Sequence, residues 1–160
     1  MARFVLAALM ACILAAPAAV ADAKYVKILH VKTGKVLAVD KDSDESGARA
    51  VLAQDDNSEA RQWKLEKDGD YYKVINRQSG KVLDVFEESV EAGAPIVVWD
   101  EKTEKNDNQR WSWQGGGKDR RLKTKLSRFV LDVDDESRLI QQKPDEKAQG
   151  QLWRIVEVKE

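Results

Sequence analysis

Cysteine is almost missing from this 160-residue chain, with Cys12 the only one. A disulfide framework is thereby excluded, and a zinc site of any common type goes with it, because the single histidine, His30, has no thiol near it. Net charge is missing as well. The 27 basic and 28 acidic residues nearly cancel at −1, which offers a phosphate backbone no footing and removes nucleic acid from the partners to consider. Beyond residue 23 no apolar run is long enough to span a bilayer. No long window carries a 3.6-residue apolar stripe, so little helix is expected, and no asparagine opens an Asn-x-Ser/Thr acceptor.

The first residues read as an address rather than as structure. Arg3 supplies a positive charge, Phe4 to Ala16 is apolar, and Pro17 leads to small residues ending Ala21-Asp22-Ala23. That pattern predicts a secretory signal over 1–23, cut after Ala23 or, alternatively, Ala21, and a secreted or periplasmic product from 24–160. Leu9-Met10-Ala11-Cys12 resembles a lipoprotein signal, but the apolar run continues past Cys12, which argues against lipid anchoring there. Removing the segment takes away Arg3 and Asp22, so the formal charge is unchanged.

What the remainder does contain is a repeat. Gly34-Lys35-Val36-Leu37-Ala38-Val39 returns as Gly80-Lys81-Val82-Leu83-Asp84-Val85 and, loosely, as Arg128-Phe129-Val130-Leu131-Asp132-Val133, with the leucines 46 and 48 positions apart. Arg61-Gln62-Trp63, Gln109-Arg110-Trp111 and Gln151-Leu152-Trp153 close the copies, at tryptophan steps of 48 and 42. Two independent anchors with nearly one period define three units, about 24–70, 71–118 and 119–160. Each reads as four short strands: those of the first begin at Tyr25, Val36, Arg49 and Gln62, turns fall at Thr33-Gly34, Ser79-Gly80 and Leu126-Ser127, and Gly115-Gly116-Gly117 separates the second unit from the third. Twelve strands in three equivalent units predict a closed all-β domain with few bare sheet edges.

Strand alternation puts Leu65 on the face of Trp63, Trp113 on that of Trp111, and Ile155 on that of Trp153, so the units supply matching core layers. Trp99 has no place in this scheme. Its counterparts, read as Ala53 and Gln141, are not core residues, and Trp99 is expected to be exposed.

A threefold repeat with Gln-x-Trp endings and Leu-Asp-Val openings resembles the ricin-type β-trefoil lectins and carbohydrate-binding modules, over about Lys24 to Glu160. The resemblance implies a β-trefoil and, in a competent unit, a sugar site made of an aspartate after the leucine, an aromatic about fifteen residues on, and an Asn-Gln pair before the closing tryptophan. The second unit matches in Asp84, Trp99, Asn108 and Gln109, and departs at Val97, where some family sites have glutamine. The first unit has Ala38, Ala53 and Arg61 at these places, which implies no site. The third keeps Asp132 and Gln151 but has Gln141 and Gly150 for the aromatic and the asparagine, which implies a degenerate one.

Those residue types suit a galactose-type sugar. An indole covers the C–H face of the ring, a carboxylate accepts two hydroxyl protons, and Asn108 is expected both to donate and to accept. Gln109 and Gln151 are expected to brace Asp84 and Asp132, since the first unit has lost both members of the pair. Neither metal nor cofactor is needed. Asp40-Lys41-Asp42-Ser43-Asp44-Glu45 lacks the glycine of a calcium loop and reads as a solvated turn. A glycosidase needs two carboxylates across a cleft, which three short units do not suggest, so a non-catalytic binder is expected. An alternative stays open: a secreted trefoil whose charged loops, such as 101–105, hold a protein partner, for example as a hydrolase inhibitor, with the sugar motif a relic.

Overall fold

Short β-branched runs interrupted by turns every few residues build strands and nothing longer. The computed structural model describes residues 25–159; the expected signal segment, with Cys12, lies outside them. In chain order the strands are β1 (Tyr25–His30), β2 (Val36–Val39), β3 (Ala50–Ala53), β4 (Trp63–Asp68), β5 (Tyr71–Asn76), β6 (Val82–Val85), β7 (Ile96–Trp99), β8 (Trp111–Gln114), β9 (Asp119–Thr124), β10 (Val130–Val133), β11 (Leu139–Gln142) and β12 (Trp153–Glu157). The expected third and fourth strands each begin one residue late. Arg49 joins the sheet through an isolated bridge to Val97, and Gln62 caps the 3₁₀ turn Glu59–Arg61 before β4. Among the described residues helix is confined to five such turns, Asp40–Asp42, Glu59–Arg61, Phe86–Glu88, Asp107–Gln109 and Gln149–Gln151. Among the described residues no helix is long and apolar enough to cross a membrane.

Antiparallel pairing closes six strands into a ring, since β1 pairs with β4 and β12, β5 with β4 and β8, and β9 with β8 and β12. The other six form the hairpins β2–β3, β6–β7 and β10–β11, which touch one another through Arg49–Val97, Val51–Arg138 and Pro95–Ile140. A barrel with a triplet of hairpins is the β-trefoil. Trp63, Trp111 and Trp153 are fully buried inside it, and Leu65, Trp113 and Ile155 pack against the same core. Each buried indole donates its N–H to a hairpin carbonyl: Trp63 to Leu37 O at 3.0 Å, Trp111 to Leu83 O at 3.0 Å, and Trp153 to Leu131 O at 3.1 Å. His30, Asn76 and Thr124 end the matching strands β1, β5 and β9, and all three are buried. The His30 ring is satisfied by Thr33 Oγ1 at 2.9 Å and Gly150 O at 3.0 Å, as a structural histidine requires.

The turn after each of these strands needs one left-handed residue. Gly34 and Gly80 provide it at φ +71° and +70°, but the third unit places Arg128 there at φ +67°. A side chain with a Cβ is strained in that region, whereas glycine is not. Arg128→Gly is therefore expected to raise unfolding free energy by about 0.5–1 kcal/mol after glycine's extra chain entropy is allowed for. Urea melts of the two proteins check this, and an unchanged or lower midpoint would contradict it.

Candidate functional site

Asp84 sits in β6 next to Leu83, and the turn Asp107–Gln109 lies immediately before Trp111. Because Trp111 is tied to Leu83 O, that turn is carried against Asp84. Asn108 Nδ2 donates to Asp84 Oδ1 at 2.9 Å and to Val85 O at 3.1 Å. Gln109 Nε2 donates to Asp84 Oδ2 at 2.8 Å and to Asp100 O at 3.0 Å, while its Oε1 accepts the Lys102 N–H at 2.9 Å. Each carboxylate oxygen thus holds one amide, and of roughly four acceptor positions on a carboxylate about two remain for an incoming ligand. The amide of Asn108, by contrast, has both of its N–H groups committed. This corrects the expectation that Asn108 donates to a sugar; it braces the acid, and only its Oδ1 is left to accept, at 3.4 Å from Lys102 Nζ.

Trp99 ends β7 and is 37% exposed, unlike the three indoles of the core. The first unit holds its back edge. Gly47 N–H donates to Val98 O at 2.8 Å, and a Cβ on Gly47 would lie 3.2 Å from the Trp99 ring. Phe86 lies on the other side, its ring centroid 6.3 Å away at 48°. Asp84, Phe86, Glu87, Trp99 and Lys102 together line an open pocket of about 260 Å³. Lys102 Nζ is held by Glu88 at 2.7 Å. Val97, opposite Asp84 in the ladder, is buried and contributes shape only.

Phe86, Lys102 and Gly47 were not among the residues picked out from sequence. Phe86 was within reach, because the repeat has aspartate at the matching Asp40 and Asp134. Lys102 and Gly47 are brought in by a loop and by a neighbouring unit, which a motif within one unit does not register.

The other units are built differently. Ladder partners show that Trp99, opposite Val82, corresponds to Ala53, opposite Val36, and to Gln142, opposite Val130. Gln141 is therefore not the counterpart of Trp99, as the sequence comparison had it; it matches Val98 and is fully buried, bonded to Ser89 O, Glu91 O and Ser127 Oγ. A shorter loop between β10 and β11 displaces the alignment by one residue. Asp132 and Gln151 do meet, at 2.9 Å, but the second Asp132 oxygen accepts its neighbour's backbone N–H, Val133 at 2.7 Å, and a Cβ at Gly150 would lie 3.2 Å from that oxygen. In the first unit Ala38 leaves no acid, and Arg61 turns outward to Asp42 and Asp56. The acidic turn after Ala38 is thus occupied in ion pairing, with Asp42 facing that guanidinium.

The family model for the ricin-type beta-trefoil lectin domain-like proteins matches residues 16–99, more than half of the sequence. The chain belongs to that family. This ricin-type trefoil is also similar to a designed threefold-symmetric protein, ThreeFoil, at 29% identity and TM-score 0.78 over 84% of this chain and 99% of that one. It is equally similar, at 29% identity and TM-score 0.78, to part of an exo-beta-1,3-galactanase from Clostridium thermocellum, covering 86% of this chain but only 31% of the enzyme. The Rhizoctonia solani agglutinin shares the trefoil fold at 17% identity and TM-score 0.73, over 89% of this chain and 100% of that one. No curated protein matches. Membership makes the ricin-type trefoil a carbohydrate-binding, lectin-like domain.

Burial raises the Asp84 carboxyl from its usual 3.8 to about 6, against the pull of Gln109, Lys102 and Asn108, with Glu88 adding to the rise. A folded-state value above the unfolded one means that the native protein binds more protons between the two, so stability falls as pH rises through that window. Relative to Asp84→Ala, the wild-type trefoil is expected to lose stability between about pH 4 and 6, measured as parallel denaturant titrations. A difference independent of pH would contradict this. Gly47→Ala, at φ +91° and against the indole, is expected to displace Trp99 and blue- or red-shift its fluorescence while Trp99→Phe removes that signal; an emission spectrum identical to wild type would contradict the buttress.

Proposed function

We propose that the protein is a secreted, non-catalytic lectin-like domain that binds a galactose-type sugar in the second-unit pocket. The observation that carries this reading is the conjunction of an exposed indole, Trp99, with a carboxylate, Asp84, whose two oxygens are each fixed by one amide and each still able to accept. The ring's C–H face would lie on Trp99 and two neighbouring hydroxyls would donate to Asp84. Gln109 and Asn108 hold the acid in place, so its orientation is set before the sugar arrives and little entropy is spent on ordering it. Lys102, on the pocket wall beside Asn108, would donate to a further hydroxyl. The galactose class is supported by the likeness to a module of a protein named as a galactanase. Secretion rests on the expected signal over 1–23, and the third-unit pair Asp132 and Gln151 is read as structural.

Binding is direct, through an acid, an amide-braced floor and an indole, with no bond broken and no metal between protein and sugar. A shallow pocket of this kind is expected to bind with a dissociation constant on the order of millimolar, about −4 kcal/mol, and to gain in use from multivalent glycans.

Trp99→Ala is expected to abolish retention on galactose-agarose with a nearly unchanged melt, whereas Trp111→Ala opens a core cavity costing about 3–5 kcal/mol. Equal destabilisation by the two would contradict the platform. Because the sugar hydroxyls need an ionised acceptor, affinity is also expected to fall as pH is lowered through about 6. Affinity unchanged from neutral pH to well below that value would rule Asp84 out as the acceptor.

A further inference from the structure

The barrel interior carries one residue that its own symmetry does not explain. Along β9 the side chains of Arg120, Leu122 and Thr124 share a face, and the last two are fully buried. Ladder partners place Arg120, opposite Trp153, in equivalence with Val26, opposite Trp63, and Tyr72, opposite Trp111. An arginine therefore stands where the other units put valine and tyrosine. Its guanidinium carbon lies 5.0 Å from the ring centre of Trp113, whose own counterparts are Leu65 and Ile155. The ring supports the cation from one side.

The polar needs of this corner are unmet. Arg120 Nε and Trp113 Nε1 are both buried N–H groups without a hydrogen-bond partner, a costly state for donors away from water. Nearby acids are otherwise engaged: Asp119 holds Arg154 through both oxygens, at 2.6 and 2.9 Å, and Glu157 is itself partnered. Neither Arg120 nor Lys118 has an ion pair among the described residues. Both line a pocket of about 490 Å³ with Gly117, Arg154, Ile155, Val156 and Glu157. Arg154 is committed to Asp119 and Glu157 is partnered, which leaves Arg120 and Lys118 as the uncommitted cations of the mouth. The connection 115–118 leaves it open, since a Cβ at any of its three glycines would meet nothing within 4 Å.

We propose that this barrel mouth is a second binding site, for an oxyanion group such as a carboxylate or phosphate, seated on the Arg120 guanidinium with Lys118 as an outer cation. The guanidinium fork matches either group in two parallel hydrogen bonds, and the low-dielectric corner strengthens them. The Val156 and Ile155 wall, with Val156 39% exposed, would face the apolar part of the molecule that bears the anion. The site uses no residue of the sugar pocket.

Inorganic phosphate and, separately, glucuronate should be titrated into the full chain at constant ionic strength, with chloride as the replaced ion, while the Trp113 indole N–H and Arg120 Nε–H resonances are followed by NMR. A saturable shift with a dissociation constant on the order of millimolar is expected, weakened about tenfold or more in Arg120→Gln and about twofold in Lys118→Gln, and unchanged in Asp84→Ala. Saturation by glucuronate alone would restrict the site to carboxylates, and saturation by both would include phosphates. Shifts that rise linearly without saturating, or that persist unaltered in Arg120→Gln, would overturn the proposal. Should Arg120→Gln fail to fold, either linear wild-type shifts or a saturable affinity left unchanged in the surface variant Lys118→Gln would overturn it equally.

Discussion

One hydrogen bond, made three times, sets the geometry on which everything else rests. A closing tryptophan, buried in the barrel, donates to the carbonyl of a leucine in the hairpin that follows the first strand of its own unit, at 3.0–3.1 Å. The bond pins barrel to cap at a fixed register. The strand position after that leucine and the turn before that tryptophan are then neighbours: Asp84 meets Gln109 and Asp132 meets Gln151, while in the first unit Ala38 offers no acceptor and Arg61 turns outward. Only the Asp84–Gln109 pair comes with Asn108 and with an indole in reach. The binding chemistry is thus a substitution pattern laid over a structural bond that all three units need, which is why two of them can lose the site and keep the fold.

The same logic separates what could be read in the sequence from what could not. Period, strand number, the core tryptophans and the glutamine-to-aspartate braces were legible because they depend on spacing within one unit, and the Gln109–Asp84 and Gln151–Asp132 contacts are present at 2.8 and 2.9 Å. The exposure of Trp99 was legible too, but one of the reasons for it was wrong. Gln141, read as its counterpart, is a buried glutamine satisfied by two carbonyls and a hydroxyl, so the core of this trefoil does accept glutamine where the bonds are complete. The true counterpart is Gln142, one place further on. Loop length between β10 and β11 fixes that register, and a repeat aligned at its ends has no information about where a shortened loop rejoins the strand.

Contacts between units were beyond the motif altogether. Gly47 belongs to the first unit yet backs the indole of the second, while Lys102, held by Glu88, enters the pocket from a loop of the second unit that the motif skips. The burial of Asn108 follows from the same crowding. With both amide hydrogens spent on Asp84 and Val85, it stabilises an acid that desolvation would otherwise keep neutral well above the ordinary carboxylate range. The pocket therefore contains a tension: enough burial to strengthen hydrogen bonds to a sugar, and enough amide support to let the carboxylate ionise near neutral pH. At the other end of the barrel Arg120 shows the converse, a charge in an inward file with no such support.

The central claim is that Trp99 and the braced Asp84 form the sugar platform and that the other indoles serve the fold. The most direct measurement is an NMR titration of the full chain with galactose in which the indole N–H resonances of the five tryptophans are followed together. A saturable shift of Trp99 is expected, with Trp63, Trp111, Trp113 and Trp153 essentially still. A stationary Trp99 while any other indole moves saturably would contradict it.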